Sequence, residues 1–211
     1  MKGEPRHAVL SMKNGKAVGP DQISAEVIKA LDEVGIDVLC EMLNEIYNTG
    51  IIPQEMSKSI FVELPTTSGA TECGDFRTVS LLSHIFEILL KIIMLRMRSK
   101  INAEVSDHQY GFMENKGTRN ANFLLRLIAE RAAQVHQDLF LYFIDYKAFG
   151  RVDHSKLMEP LDLINTDDKD TRIIQELYYE QIAAVRVRNE ITEWTKIETG
   201  VRQRCVLSPD L

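Results

Sequence analysis

The stretch LYFIDYKAFGRVDH, residues 141–154, holds the side chain whose position is most suited to chemistry. An apolar run ends at Ile144, and Asp145 follows directly, before a turn that contains a lysine, a phenylalanine and a glycine. A carboxylate at the end of a buried strand is a common way to hold a hard metal ion. It is also a common way to end a strand, so Asp145 alone leaves both interpretations open.

A metal centre at Asp145 requires carboxylates from a second segment. Two-metal chemistry uses ions about 3.5–4 Å apart that clamp both oxygens of an in-line displacement, and Mg²⁺ prefers oxygen ligands in octahedral geometry. The adjacent pair Asp167 and Asp168 lies in the polar stretch NTDDKDT, before a helical pattern. We interpret this pair as the solvated start of a helix, where acidic side chains are favoured.

The elements that must position these residues alternate between helical and strand patterns. Apolar runs at 59–64 and 139–145 predict strands, and alternating stretches about Asn189 and Glu190 predict a β-hairpin. Apolar residues at helical spacing predict helices at about 22–31, 37–50, 80–103, 121–135, 154–163 and 168–180, with Gly50 as a helix stop. The sequence therefore predicts an α+β fold dominated by helices.

The composition of the chain restricts the classes of protein to which it can belong. The 211 residues suffice for one domain or two small ones, and the net charge of −6 disfavours strong non-specific nucleic-acid binding without excluding a local basic groove. The three cysteines are widely spaced and form no CxxC pair, which predicts reduced thiols, an intracellular location and no zinc site. Charged residues interrupt the apolar segment 81–97, so we expect a buried helix and no membrane association.

Five blocks of the sequence, in order, resemble the reverse transcriptases of non-LTR (LINE-type) retrotransposons. They are NGKAVGPDQISAEVIKAL (14–31), FRTVSLLSHIFEILLKIIMLRM (76–97), YGFMENKGTRNANF (110–123), FIDYKAFGRVDH (143–154) and GVRQRCVLSPDL (200–211). The resemblance covers nearly the whole chain. It implies the fingers and part of the palm of a right-hand polymerase, with a small antiparallel palm sheet. It also implies a fingers-like region at 1–136 and a partial palm at 137–211.

The resemblance implies roles for individual residues. Asp145 matches the first palm ligand of the family's Mg²⁺ ions, and Arg77 matches the fingers arginine that grips the incoming triphosphate. An arginine suits that task because its fork of donors binds phosphate bidentately. Phe149 matches the aromatic residue that lies under the sugar, and Gln203 matches the polar residue beside template and nucleotide. Without the resemblance, a purely structural interpretation of each residue is equally open: Arg77 as a surface residue, Phe149 as a core residue and Gln203 as a turn residue.

The same resemblance implies partners. The family binds an RNA or DNA template-primer and deoxynucleoside triphosphates, and in this chain Lys116 and Arg119 are candidates for weak nucleic-acid contacts. The acidic net charge leads us to expect that such binding is weak or absent here, because phosphate contacts dominate nucleic-acid affinity.

The chain departs from the family pattern at several points. Asp145 and Phe149 are four positions apart where the family has five, and a one-residue slip on a strand sends side chains to the opposite face. Gly150 replaces a carboxylate, and Thr66, Thr67 and Ser68 replace basic residues. Arg204 stands where the family has a glycine, whose backbone freedom an arginine lacks.

The family's second palm motif, an aromatic-Ala-Asp-Asp hairpin, has no counterpart in the sequence. We therefore expect a retrotransposon-derived reverse transcriptase remnant that is truncated, has an incomplete metal site and lacks polymerase activity. A second hypothesis is a non-catalytic module that binds RNA or protein through the fingers scaffold. A third is a product without selected function that folds only in part.

Overall fold

The computed structural model describes residues 3–144, 149–188, 190–203 and 205–210. Its helices are α1 (Glu4–Leu10), α2 (Ala25–Lys29), α3 (Glu33–Thr49), α4 (Gln54–Ser57), α5 (His84–Glu104), α6 (Thr118–Gln134), α7 (His154–Leu163) and α8 (Asp168–Tyr179). Its strands are β1 (Ser59–Pro65), β2 (Phe76–Leu81), β3 (Ile182–Val187), β4 (Glu190–Ile191) and β5 (Thr195–Lys196). Short 3₁₀ turns lie at Cys73–Asp75 and Ser208–Asp210.

These elements confirm most of the predicted segments. The α3 helix ends at Gly50, whose φ of 73° is the left-handed cap that favours glycine. The start of α5 is later than predicted, because Ser83 caps the helix by accepting a hydrogen bond from the Phe86 N–H. Asp167 likewise caps α8 by accepting from the Lys169 N–H at 2.9 Å, which confirms that Asp167 and Asp168 begin a helix.

The strands form one mixed sheet, which corrects the expected antiparallel one. Within the described residues the order is β2–β1–β3–β4, and β5 also pairs with β3. The β1 and β2 strands are antiparallel, whereas β1 and β3 are parallel, with Ile60 opposite Ala184. Parallel neighbours need a long crossover, and residues 66–181 provide one that contains β2 and helices α5 to α8.

The α5 helix forms the centre of the core. Its buried side chains point in nearly every direction around the helix, which explains the near-continuous apolar run of its sequence. The α1, α4 and C-terminal 3₁₀ segments pack against it. In the part of the chain that the structure describes, no helix is long and apolar enough to cross a bilayer.

The predicted strand at 139–145 is wrong over its described part. Residues 139–144 carry no strand pairing, and their side chains are exposed; Tyr142 and Phe143 are 87% and 85% accessible. A strand is held by hydrogen bonds to a neighbour, and no strand among the described residues offers one to this segment. Asp145, the last residue of the predicted strand, lies outside the described residues.

The turn after residue 149 is joined to the loop that begins at residue 199. The Gly200 N–H donates to the Val152 carbonyl at 2.8 Å, and the Val201 N–H donates to the Phe149 carbonyl at 2.7 Å. The buried His154 donates from Nε2 to the Gly200 carbonyl at 2.8 Å. These bonds hold two of the sequence blocks side by side.

Arg96 carries a charged cluster where α1, α3, α5 and α8 meet. Its guanidinium binds Glu4 through two hydrogen bonds of 2.7 and 2.6 Å, lies 3.5 Å from Asp170 and stacks 4.9 Å above the Tyr47 ring. The hydrogen bond from Arg96 lowers the pKa of Glu4 below its usual value. Burial instead raises the pKa of Asp170, although Arg96 partly opposes that shift.

These opposite shifts predict opposite pH effects for two substitutions. Glu4 is more acidic in the folded state, so it stabilises the fold above pH 4.5, and this stabilisation disappears as the pH falls through its lowered pKa. We expect Glu4→Gln to lower the free energy of unfolding at pH 7 by up to about 1 kcal/mol, the scale of a partly exposed ion pair. Its effect should vanish in acid.

Asp170 holds its proton more tightly when folded, so ionising it costs stability as the pH rises from 3.8 through its raised pKa. Asp170→Asn should therefore leave stability unchanged or higher at pH 7, with the gain fading in acid. Urea unfolding between pH 3.5 and 7 measures both variants, and Asp168→Asn in the same helical turn is the control. A loss of stability in Asp170→Asn at pH 7 that fades on acidification, as expected for Glu4→Gln, would contradict the raised pKa of Asp170.

The join at Gly200 predicts a second stability effect. Its φ is 89°, and an added Cβ would lie 3.0 Å from the Phe149 carbonyl oxygen. Gly69 has the same φ of 89° but open space around a Cβ, so Gly69→Ala measures backbone strain alone. We expect Gly69→Ala to cost about 1–2 kcal/mol and Gly200→Ala to cost about 1–3 kcal/mol more. Equal losses in urea unfolding would show that the backbone at Phe149 moves away from the added Cβ at no cost in stability.

Candidate functional site

Two residues to which the family resemblance gives roles in substrate binding are in direct contact. The Arg77 Nε–H donates to the Gln203 side-chain carbonyl at 3.0 Å, although the two residues are 126 positions apart. Arg77 lies in β2 and is exposed, while Gln203 is half-buried in the loop that follows Gly200. The Ser80 N–H donates to the Gln203 carbonyl at 3.1 Å, which fixes the loop against the same strand.

Strand β2 orients Arg77 through its pairing. Leu64 of β1 is its partner in the antiparallel register, near the outer end of the strand where burial decreases. Val79 and Ser80, further along β2, are buried and anchor the strand. The arginine therefore stands on a rigid element with its guanidinium at the surface. Sequence reasoning did not predict β2, because its residues FRTVSL mix polar and apolar types without clear alternation.

Phe149 belongs to the same constellation through its backbone. Its carbonyl accepts from Val201, two residues before Gln203, and its ring meets the Phe112 ring edge-on with centroids 6.2 Å apart. The ring is half-buried against the core. Phe112 comes from the block that also contains Lys116 and Arg119, so three of the five resembling blocks meet around Phe149.

Lys116 and Arg119 occupy different surroundings. The Lys116 Nζ donates to the Asp107 carbonyl at 2.8 Å and lies 3.9 Å from the Asp107 carboxylate. Arg119 is exposed in the first turn of α6. The structure thus joins Arg77, Gln203 and Phe149 through one loop, and it places Lys116 in a local contact with an acidic residue.

A buried cation that the sequence analysis missed supports this loop. Arg202 is 1% exposed, and its Nη2 donates to the carbonyls of Ser57 at 2.8 Å and Leu177 at 3.3 Å. Burial lowers the pKa of Arg202 to about 10, so it remains charged at neutral pH. Arg202 directly precedes Gln203, so its buried side chain anchors the loop beside the residue that contacts Arg77. An arginine between Val201 and Gln203 gives no clear sequence signal for burial.

The metal site cannot be built from the described residues. Within residues 3–144, 149–188, 190–203 and 205–210, no three histidine, cysteine or acidic side chains gather closely enough to hold a metal ion. Asp145 and Arg204 lie outside this range. Gly150, where the family pattern has a carboxylate, is exposed. No chemical step is therefore assigned to a metal within the described part of the chain.

Comparisons with known proteins identify the family of the chain. Residues 64–211 match the family described as reverse transcriptase (RNA-dependent DNA polymerase). The chain is 27% identical over 210 residues to the transposon TX1 uncharacterized 149 kDa protein of Xenopus laevis, a match that covers 99% of this chain and 16% of that protein. It is 24% identical over 194 residues to the retrovirus-related Pol polyprotein from the type-2 retrotransposable element R2DM of Drosophila melanogaster, covering 92% and 18%.

A third relative is the retrovirus-related Pol polyprotein from the type-1 retrotransposable element R2 of Bradysia coprophila. It is 27% identical over 201 residues, which are 94% of this chain and 22% of that protein. The chain thus spans about a fifth or less of the length of these relatives. The matched residues include Arg77, Phe149 and Gln203, and the chain belongs to the reverse transcriptase family of non-LTR retrotransposons.

Proposed function

We propose that this chain forms the nucleotide-receiving and template-receiving part of a reverse transcriptase, and that it does not form phosphodiester bonds by itself. The contact between Arg77 and Gln203 carries the first half of the proposal. It unites two blocks of the family pattern, at the place where the resemblance assigns the triphosphate and the base pair.

The chemistry of the contact suits triphosphate binding. An arginine has five N–H donors, and the bond to Gln203 engages the Nε–H, so the pair of Nη groups at the exposed end can face a phosphate. A guanidinium held by one fixed bond loses less side-chain entropy when it binds an anion than a freely rotating one does. Gln203 therefore acts as the residue that orients Arg77.

Phe149 fits the position of an aromatic residue beside the sugar. Its backbone is tied to Val201 and its ring to Phe112, so both the turn and the side chain are fixed relative to Gln203. In this proposal Lys116 and Arg119 extend the surface toward a template backbone. The fingers-like and palm-like division at residue 136 remains a prediction, since one sheet contains strands from both ranges.

The second half of the proposal concerns the missing chemistry. Two-metal transfer needs carboxylates from at least two segments, and Asp145 is the only one that the family pattern supplies here. Asp167 caps α8 and Asp168 is its first residue. The short spacing from Asp145 to Phe149, together with Gly150 and Arg204, removes further elements of the family pattern. In this proposal, the carboxylates of these 211 residues alone do not suffice for catalysis.

Primer extension on an RNA template with Mg²⁺ and deoxynucleoside triphosphates tests the catalytic half. We expect no extension above the level of Asp145→Ala by the 211-residue chain. Extension that Asp145→Ala abolishes would overturn this half of the proposal and leave the binding half intact.

Nucleotide affinity tests the binding half. Loss of a hydrogen bond to a charged group costs about 1.5–3 kcal/mol, so Arg77→Ala should weaken binding of a fluorescent deoxynucleoside triphosphate roughly 10-fold to 100-fold. Gln203→Ala should weaken it less, because it removes only the orienting bond. Arg131→Ala is the matched control, since the exposed Arg131 donates to the Gln134 side-chain carbonyl at 3.3 Å. Equal losses in Arg77→Ala and Arg131→Ala would refute a triphosphate site at Arg77.

A further inference from the structure

A cavity of about 250 Å³ lies between the segment after α1 and the side of α5. Three lysines line it, Lys13, Lys16 and Lys91, together with a single carboxylate, Glu87. The family resemblance and the proposed function assign nothing to these lysines. A volume of this size holds a phosphate group with several waters, given about 30 Å³ per water molecule in the liquid.

The charges around the cavity do not balance. Lys16 is paired with Glu87 at 3.3 Å, which neutralises one ammonium group. The Lys91 Nζ donates to the neutral hydroxyl of Ser11 at 2.5 Å. Burial and the charge of Lys16 lower the pKa of Lys91, as expected for an ammonium group near another cation. Lys13 is exposed at the rim. The cavity thus presents two positive charges beyond the one that Glu87 neutralises.

The protein holds these lysines on fixed backbone. Lys91 lies in the buried α5 helix, and Ser11 caps the end of α1. The Gly15 N–H donates to the Glu26 carboxylate at 2.6 Å. Gly19 lies so close to the end of β2 that an added Cβ would be 2.3 Å from the Leu82 carbonyl oxygen. The loop between α1 and α2 is therefore held at Gly15 and passes close to the end of β2 at Gly19.

A second cavity, of about 350 Å³, shares Lys16 and Glu87 with the first. Val79 and Ser80 of β2 line it, and the Ser80 N–H is the group that holds the Gln203 carbonyl. The two cavities thus run from the lysines toward the strand that carries Arg77. A ligand with several phosphates can follow this path, whereas a neutral ligand gains nothing from the lysines.

We propose that the cavity lined by Lys13, Lys16 and Lys91 is a phosphate-binding site, distinct from the Arg77–Gln203 contact. Its ligand is a phosphate group of either a single-stranded nucleic-acid backbone or a free polyphosphate. Both ligands carry closely spaced anionic oxygens that accept several ammonium N–H groups. The site goes beyond the proposed function, because it depends on neither Arg77 nor Gln203.

The test uses the 211-residue chain and the double variant Lys13→Gln plus Lys91→Gln. Lys156→Gln plus Lys196→Gln is the matched control, with the same change in net charge at exposed positions on other elements. Binding of a fluorescein-labelled 12-nucleotide single-stranded RNA is measured by anisotropy over a series of salt concentrations. Tripolyphosphate titrations followed by backbone amide NMR provide the second arm. Lys13→Glu alone covers the case in which the substitution of the half-buried Lys91 unfolds the chain.

For single strands, log K falls with log salt by about 0.7 for each phosphate contact. We expect the Lys13 and Lys91 substitutions to reduce the steepness of this dependence by about 1.4, with little change in the control. Shifts of the amides of residues 11–16 by tripolyphosphate, with no RNA binding, identify a free polyphosphate as the ligand. RNA binding with the expected salt dependence identifies a nucleic-acid backbone.

Arg77→Ala plus Gln203→Ala separates this site from the proposed function. That variant should lose nucleotide affinity and keep the salt dependence of the lysine site. No amide shifts together with no RNA binding would overturn the phosphate site. A double lysine variant that behaves like its control would overturn it too, whatever the outcome at Arg77.

Discussion

The buried guanidinium of Arg202 is the constraint on which the rest of the structure depends. Its Nη2 reaches the carbonyls of Ser57, the last residue of α4, and Leu177, in the last turn of α8. These helices lead into β1 and β3, the two parallel strands of the sheet. One side chain therefore ties together the entries to both strands and the loop that carries Gln203.

The hydrogen bonds of Arg202 contribute more to the position of the loop than to the stability of the fold. Burying a cation costs free energy that its contacts only partly recover, and among the described residues Arg202 Nε and Nη1 have no hydrogen-bond partner. An apolar side chain would fill the space at lower cost, but it could not choose between orientations of the loop. The two hydrogen bonds of Arg202 hold the loop against the ends of α4 and α8. Gln203 is the next residue of this loop, and it accepts the hydrogen bond from Arg77.

The sequence predicted local elements well because their signals are local. Gly50 marked the end of α3, the run SIFVEL marked β1, and the stretches about residue 189 marked the hairpin. The parallel pairing of β1 with β3 joins segments more than 100 residues apart, and periodicity carries no information on such partners. The burial of Arg202 was missed for the same reason. The Arg77–Gln203 contact became predictable in outline only through the family resemblance, which supplies long-range information.

The strand wrongly predicted at 139–144 also shows that a local sequence pattern does not identify pairing partners. Its apolar, aromatic composition correctly indicates a segment suited to a sheet, yet composition cannot supply the neighbouring strand that the hydrogen bonds require. The α6 helix is a parallel case, because its apolar residues recur at helical spacing and none of its side chains is buried among the described residues. Both segments precede the turn at Phe149. In our proposal Arg77 and Gln203 bind the ligand, and both are well anchored. Residues 139–144, directly before Asp145, are exposed. A side chain can hold a ligand at a fixed distance only when its own backbone is held. Arg77 meets this condition through β2 and Gln203, whereas residues 139–144 have no strand pairing among the described residues.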